Sequence, residues 1–248
     1  MRSYRRARKT IKKGKRKHRR VSKRSYPGKQ HGGEDLGAIP KIVIQTSKDP
    51  IPENATAQLK KQLDGWEYLF FTDEDILKFF QENPSADYPA ITDKFNAITS
   101  GAHKADLFRY YYIFMHGGIF IDSDLMLYDP LTDILGQNSF VSVWAIKPEG
   151  SVFNGFLGAT AKHPIIENAL KDLYTMTNDQ LVADYTITCK NLGGFVRKYT
   201  GGRVKMLEEV VNNDTYCTVK DTDNGKISLI HYMSMAIPDT RIDTPSSA

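Results

Sequence analysis

The segment Gly117-Gly-Ile-Phe-Ile-Asp-Ser-Asp124 constrains the fold more than any other stretch of the chain. Ile119-Phe-Ile121 is apolar and mostly β-branched, too short for a helix, and bounded by glycines before it and carboxylates after it. That is how a strand buried on both faces reads. The preceding stretch, Ala102 to His116, reads as a helix that Gly117-Gly118 closes. A strand buried on both faces needs cover on both sides of its sheet, so the segment calls for an α/β architecture.

The alternation recurs along the chain. Ile39 to Thr46 reads as a first strand, ended by Pro50 and Pro52. Ala55 to Leu63 reads as a helix and Glu67 to Phe71 as a second strand. Thr72 opens the next helix, with Asp75 placed to complete a capping box. Phe140 to Ile146 and Asn154 to Leu157 are short strand candidates. Pro164 to Tyr174 is a predicted helix with Pro in its first turn. Asp184 to Lys198 is another, interrupted at Gly193-Gly194, and Ile227 to His231 is a late strand. Strands alternating with helices predict a mostly parallel central sheet.

The net charge of +5 averages two unlike parts. Residues 1–24 hold 14 Lys and Arg and no Asp or Glu, which leaves 20 basic and 29 acidic residues, a net of −9, for residues 25–248. Residues 1–38 are expected to be a disordered basic arm and linker, and residues 39–248 the folded domain. The arm is open to three readings: a solvated tail, a nuclear address or nucleic-acid contact, or a grip on an anionic membrane surface. Tyr4 is the one aromatic in residues 1–24, so base stacking is not a basis for recognition. No stretch reaches the roughly 18–20 apolar residues that span a bilayer. The basic start is not followed by the apolar run of a signal peptide. A cytoplasmic or membrane-peripheral location is therefore expected. Cys189 and Cys217 lack any CxxC or Cys/His cluster, which argues against zinc, and either one disulfide or two thiols is open.

Asp122 and Asp124 follow the buried strand at i and i+2, which on an extended chain puts both on one side. Open α/β sheets bind ligands at the carboxyl ends of their strands. Paired carboxylates there suit a hard divalent cation, Mn²⁺ or Mg²⁺, with positions left for phosphate oxygens. Upstream, Asp106 and Arg109 lie i, i+3 on one helix face, otherwise continued by Ala102 and Ile113. They read either as a structural ion pair or as a sugar-binding carboxylate beside a phosphate- or ribose-binding guanidinium. Glycoside hydrolysis needs carboxyls facing each other across about 5–10 Å, which neighbours on one extended segment cannot supply. No GxxxxGK[ST] or GxGxxG is present.

Ile39-Pro-Lys-Ile-Val-Ile-Gln-Thr46, Ala105-Asp-Leu-Phe-Arg-Tyr110 and Gly117-Gly-Ile-Phe-Ile-Asp-Ser-Asp124, in that order, resemble the DXD sugar-binding glycosyltransferases of family 32. That family includes fungal α-1,6-mannosyltransferases and is related to clostridial glucosylating toxins. The resemblance covers roughly residues 39–235 and is strongest over 101–130. It implies a GT-A fold, a nucleotide-sugar donor, a Mn²⁺ or Mg²⁺ ion and retention at the anomeric carbon. It implies that Asp122 and Asp124, with Ser123 between them, hold metal and diphosphate, and that Asp106 and Arg109 contact donor sugar and ribose. Ile39, Gln45 and Thr46 would lie beside the base, Asn154 on the donor, and His231 on the metal with Ser234 nearby. Two departures stand out: Ile44 and Ser47 replace the His and Trp of the family's His-Gln-Thr-Trp, and Met235 replaces the Trp of its late Ser-Trp.

The expected function is metal-dependent transfer of a hexose from a nucleotide sugar to a glycan, lipid or small-molecule acceptor. The alternatives are toxin-like glycosylation of a protein and a non-catalytic module that binds through the basic arm.

Overall fold

In the computed structural model, residues 37–48, 53–212 and 215–232 are described. The basic arm and Ser234 lie outside them.

A nine-stranded sheet runs through the molecule in the order β2-β1-β3-β6-β5-β7-β8-β9-β4. The strands are β1 (Ile42–Thr46), β2 (Glu67–Phe71), β3 (Gly118–Ile121), β4 (Leu125–Leu127), β5 (Phe140–Trp144), β6 (Val152–Ala159), β7 (Val204–Val211), β8 (Tyr216–Asp221) and β9 (Ile227–Tyr232). The helices are α1 (Glu53–Lys61), α2 (Asp73–Glu82), α3 (Ile91–Ala97), α4 (Gly101–His116), α5 (Leu131–Leu135), α6 (Pro164–Thr175), α7 (Asn178–Ala183) and α8 (Ile187–Lys198).

The sheet is mixed, which corrects the expectation of a mostly parallel one. Pairs β1–β2, β1–β3 and β5–β7 are parallel and the other five are antiparallel. The links β5 to β6, β7 to β8 and β8 to β9 contain no helix, and without a crossover a strand returns antiparallel.

Side chains alternate across the sheet as the pleat requires. Ile44 and Phe120 face a core built with α2, α3, α4, α6 and α8. Val43, Ile119 and Ile121 face a second core that includes Leu59, Leu63, Leu131, Ile134 and Leu135. Helix α4 is buried nearly all round, including Asp106 and Arg109. Ser100 caps it through a bond from His103 N. Gly117 then takes φ +69° where a Cβ would meet Ala161 N at 2.8 Å, and at Gly118 a Cβ would meet Ile42 O at 2.9 Å. Both glycines are thus required for β3 to dock on β1.

Two other expectations changed. Asp184 to Lys198 is not one helix. The Asp184 carboxylate accepts from Thr186 N at 3.0 Å and Thr186 Oγ1 at 2.8 Å, an Asx turn that separates α7 from α8. Conversely, α8 runs unbroken through Gly193-Gly194. A Cβ on Gly193 would lie 2.2 Å from Gly150 O, so this glycine serves close packing rather than a helix break. Both cysteines are free thiols.

The sheet curls strongly. β3 and β4 lie six strand spacings apart in the order, about 29 Å across a flat sheet at ~4.8 Å per strand. Yet only Asp122, Ser123 and Asp124 join them, a link that reaches at most about 14 Å. The far edge must roll back over β3 and β6, and it does: Phe153 of β6 stacks on His231 of β9 with ring centroids 4.5 Å apart.

Candidate active site at the β3–β4 turn

Residues 122–125 form a turn, closed by Leu125 N donating to Asp122 O at 3.3 Å. The two carboxylates therefore do not share one side of an extended strand, as expected from the spacing. The turn gathers them instead, because the chain reverses there into β4. Ser123 sits partly exposed between them.

Asp122 shares Phe120's face of the pleat and so looks toward α4. Its Oδ1 lies 3.5 Å from Arg109 Nη2, and its N–H donates to Gly155 O at 2.8 Å. A Cβ on Gly155 would lie 2.6 Å from Asp122 Oδ2 and 2.2 Å from Phe153 Cζ. A glycine at 155 is what leaves room for this carboxylate. Burial raises the Asp122 carboxyl; Arg109 opposes that shift, and Asp124 and Asp106 add to it.

Arg109 is 4% exposed. Its guanidinium lies 3.8 Å from the Phe120 ring centroid, Nε is 3.5 Å from Asp106 Oδ1, and Nη1 donates to Asn154 O. The i, i+3 pair is real and buried, and it also reaches the Asp122 carboxylate. Asp106 Oδ1 accepts from Asn154 Nδ2 at 3.0 Å and Oδ2 from Thr188 Oγ1 at 2.8 Å. Asn154 Oδ1 in turn accepts from Tyr110 OH at 3.0 Å. Asn154 is thus a strand residue that fixes Asp106 and Arg109 together. Burial, with Asp106 adding, pushes the thiol of Cys189, one residue past Thr188, up to about 11, which favours the neutral form.

On the other wall, Asp124 Oδ2 lies 3.7 Å from His231 Nε2, and His231 Nδ1 is 2.8 Å from Glu209 Oε1. Burial alone would depress His231, but the Asp124 and Glu209 carboxylates outweigh it and hold the imidazole at about 9. Asp124 Oδ1 is buried with no hydrogen-bond partner among the described residues.

The residues expected beside the base behave differently. Gln45 is buried and spent internally: its Nε2 donates to Ile121 O at 2.9 Å and its Oε1 accepts from Tyr68 OH at 2.8 Å. It pins β1 to the end of β3 next to Asp122. Ile39 precedes β1 at the end away from the carboxylates, packed in the core, its Cδ1 3.4 Å from where Gly158 would carry a Cβ. Thr46 ends β1 on the Asp122 side. Thr188, Glu209 and Phe153 are site residues that the sequence did not single out.

Among the described residues, no three His, Cys, Asp or Glu side chains converge as a preformed metal cluster. Three features nonetheless fit a cation that shares its shell with phosphate. Asp124 Oδ1 is a buried acceptor without a donor among the described residues. Asp122 is held above its ordinary range by burial, with the Asp124 and Asp106 carboxylates adding to it. Asp106, Asp122, Asp124 and Glu209 face one guanidinium and one imidazole. A divalent ion is the usual answer to such an excess of acceptors.

Residues 52–141 match the family model described as a glycosyltransferase sugar-binding region containing the DXD motif. They hold α4, β3 and the Asp122–Asp124 turn. More particularly, the chain is 29% identical over 146 residues to inositol phosphoceramide mannosyltransferase 1 of Schizosaccharomyces pombe, covering 56% of this chain and 44% of that protein. It is 33% identical over 139 residues to the mannosyl phosphorylinositol ceramide synthase SUR1 of Saccharomyces cerevisiae, covering 54% and 35%. The chain thus spans less than half the length of these curated relatives. The solved PaToxG glycosyltransferase aligns with a TM-score of 0.47 and 13% identity over 64% of this chain and 70% of that one.

Proposed function

We propose that this chain is a metal-dependent, retaining glycosyltransferase of GT-A type that moves a hexose, mannose by analogy with its relatives, from a nucleotide sugar to a glycolipid acceptor carrying an inositol-phosphate headgroup. The observation that carries the reading is the buried Asp106–Arg109 pair joined to the half-buried Asp122 and set beside Asp124, whose Oδ1 has no donor among the described residues. The names of the relatives supply the sugar and the acceptor class.

Asp122 and Asp124 would hold a Mn²⁺ or Mg²⁺ ion, with His231 as a further ligand. Such an ion supplies charge neutralisation of the leaving diphosphate. Arg109 sits where it can donate to the donor's phosphates while its contacts with Asp106 and Phe120 fix its plane. Asp106, held from below by Asn154 and Thr188, keeps free lone pairs for a sugar hydroxyl. The acceptor hydroxyl oxygen bonds to the anomeric carbon as the bond from that carbon to the diphosphate breaks. Attack on the same face lets the departing phosphate oxygen take the hydroxyl's proton. Residues 1–24, with 14 Lys and Arg, suit the anionic bilayer in which such an acceptor would lie. Among the described residues, no helix is long and apolar enough to cross a membrane.

The test is thermal stability against a panel of nucleotide sugars with and without Mn²⁺. A bound donor raises the melting temperature through RT ln(1 + [L]/Kd), about 2.7 kcal/mol at a hundredfold excess over Kd. A shift with one donor, present only with metal and lost in Asp124→Ala, is expected. No shift with any donor in well-folded protein would sink the reading.

A further inference from the structure

We propose that Glu209 is a positioning residue for the metal and diphosphate site: it holds His231 so that Nε2 faces Asp124. The inference rests on the metal-site reading above and extends it to a residue outside the region that matches the family model.

Glu209 lies on β7 and His231 on β9, with β8 between them. The Glu209 side chain is 8% exposed and spans that strand to reach Nδ1 at 2.8 Å. Its other oxygen, Oε2, accepts from Ile146 N at 3.2 Å. Both oxygens are therefore committed, one to the ring and one to the segment that follows β5. On its open face the imidazole stacks on Phe153, with rings inclined by 26°. One hydrogen bond and one ring face leave His231 a single direction for Nε2, and that direction is toward Asp124 Oδ2, 3.7 Å away. A metal-ligating imidazole needs this support: the partner of its other nitrogen sets both ring plane and tautomer. A carboxylate has no hydrogen to give, so Nδ1 must be the donor, and Nε2 is the nitrogen that would bind an ion in exchange for the proton it shares with Asp124.

The same geometry predicts what an amide would do. In Glu209→Gln the side chain keeps one acceptor and gains one donor group. Ile146 N–H needs the acceptor, which turns the amide NH₂ toward Nδ1. The hydrogen of the ring then moves to Nε2, and the nitrogen that faces Asp124 can no longer bind a metal.

The experiment measures Mn²⁺ binding to the full chain by the electron paramagnetic resonance of free Mn²⁺, alone and with inorganic pyrophosphate, which stands in for the diphosphate whatever the base. Glu209→Gln, Glu209→Ala, His231→Ala and the double variant Glu209→Gln/His231→Ala are compared, with urea unfolding of each as a check on folding. Two different substitutions at 209 keep the test alive if one of them is unstable. The expected result is a 10–100-fold weaker Mn²⁺ affinity in each single variant, and no further loss when Glu209→Gln is added to His231→Ala. Wild-type affinity in both Glu209 variants, with loss in Asp124→Ala, would overturn the role of Glu209 and leave the metal site standing. A full additional loss in the double variant would also overturn it, since Glu209 would then act other than through His231. No Mn²⁺ binding by the wild-type chain, with or without pyrophosphate, would overturn the metal-site reading and this inference with it.

Discussion

His163 offers the sharpest quantitative test of the packing that supports the site. It caps α6, its Nδ1 accepting from Ile165 N at 3.3 Å, and it is fully buried between Phe140 and Tyr199. Burial pushes it down to about 4 from 6.5. The unfolded chain takes up a proton at this residue near pH 6.5, and the folded chain does not until about pH 4. Stability from the neutral ring is therefore intact above about pH 6.5 and is lost as the pH falls toward 4. Between pH 7 and 4.5 the loss comes to about 2.5 kcal/mol, at 1.36 kcal/mol per unit. Structurally, the cost is a proton forced onto Nδ1, which ends the cap, plus a charge in a buried site whose one polar side-chain contact on the ring's other nitrogen is Ser139 Oγ, 3.4 Å from Nε2. The assay is urea unfolding at the two pH values for the wild type and for His163→Asn, which keeps a capping acceptor but cannot titrate. The variant starts less stable, since a smaller side chain leaves a cavity. Carboxylate protonation affects both proteins equally, so the difference between them isolates the imidazole. The stability gap should shrink by about 2.5 kcal/mol on acidification. A gap that stays constant to within about 0.5 kcal/mol would refute the account of a neutral, buried cap.

Other expectations concern the site directly. Gly155→Ala should displace Asp122 and the Phe153 ring together, abolishing donor-dependent thermal shift while destabilising the fold by about 1–3 kcal/mol; unchanged donor binding would show that neither side chain needs its present place. Thr188→Val removes the hydroxyl on Asp106 Oδ2 at nearly constant volume, at about 1–3 kcal/mol for the unsatisfied carboxylate; calorimetry should show both lower stability and weaker donor binding. Gly193→Ala, whose Cβ would press on a backbone oxygen, should lower the melting temperature by several degrees, and a neutral result would mean that α8 can slide.

What the sequence disclosed divides along physical lines. Asp106 with Arg109 was readable because helix periodicity alone brings i and i+3 together, and Asp122 with Asp124 because a buried strand ends at them. The Thr72–Asp75 box formed as read, with Thr72 N donating to Asp75 Oδ2 at 3.1 Å. The turn at 122–125 was hidden, since only the pairing of β4 with β9 makes the chain reverse there. Thr188 and Glu209 carry no local sign: one is a threonine in the first turn of a helix, the other a carboxylate in a half-exposed strand. Their roles exist only across 82 and 22 residues of separation. β7 and β8 escaped notice for the same reason, as their burial is uneven and set by neighbours rather than by pattern.

The rolled sheet also orders events in time. The region that matches the family model ends at residue 141, so a growing chain carries its acidic motif long before Asn154, Thr188, Glu209 and His231 exist. β4 has no partner until β9 is made, about a hundred residues later. Among the described residues, the last strands to emerge thus complete the sheet and bring His231 to face Asp124. A chain cut between residue 141 and β9 would keep the region that matches the family model and lose His231, which faces Asp124 across the turn.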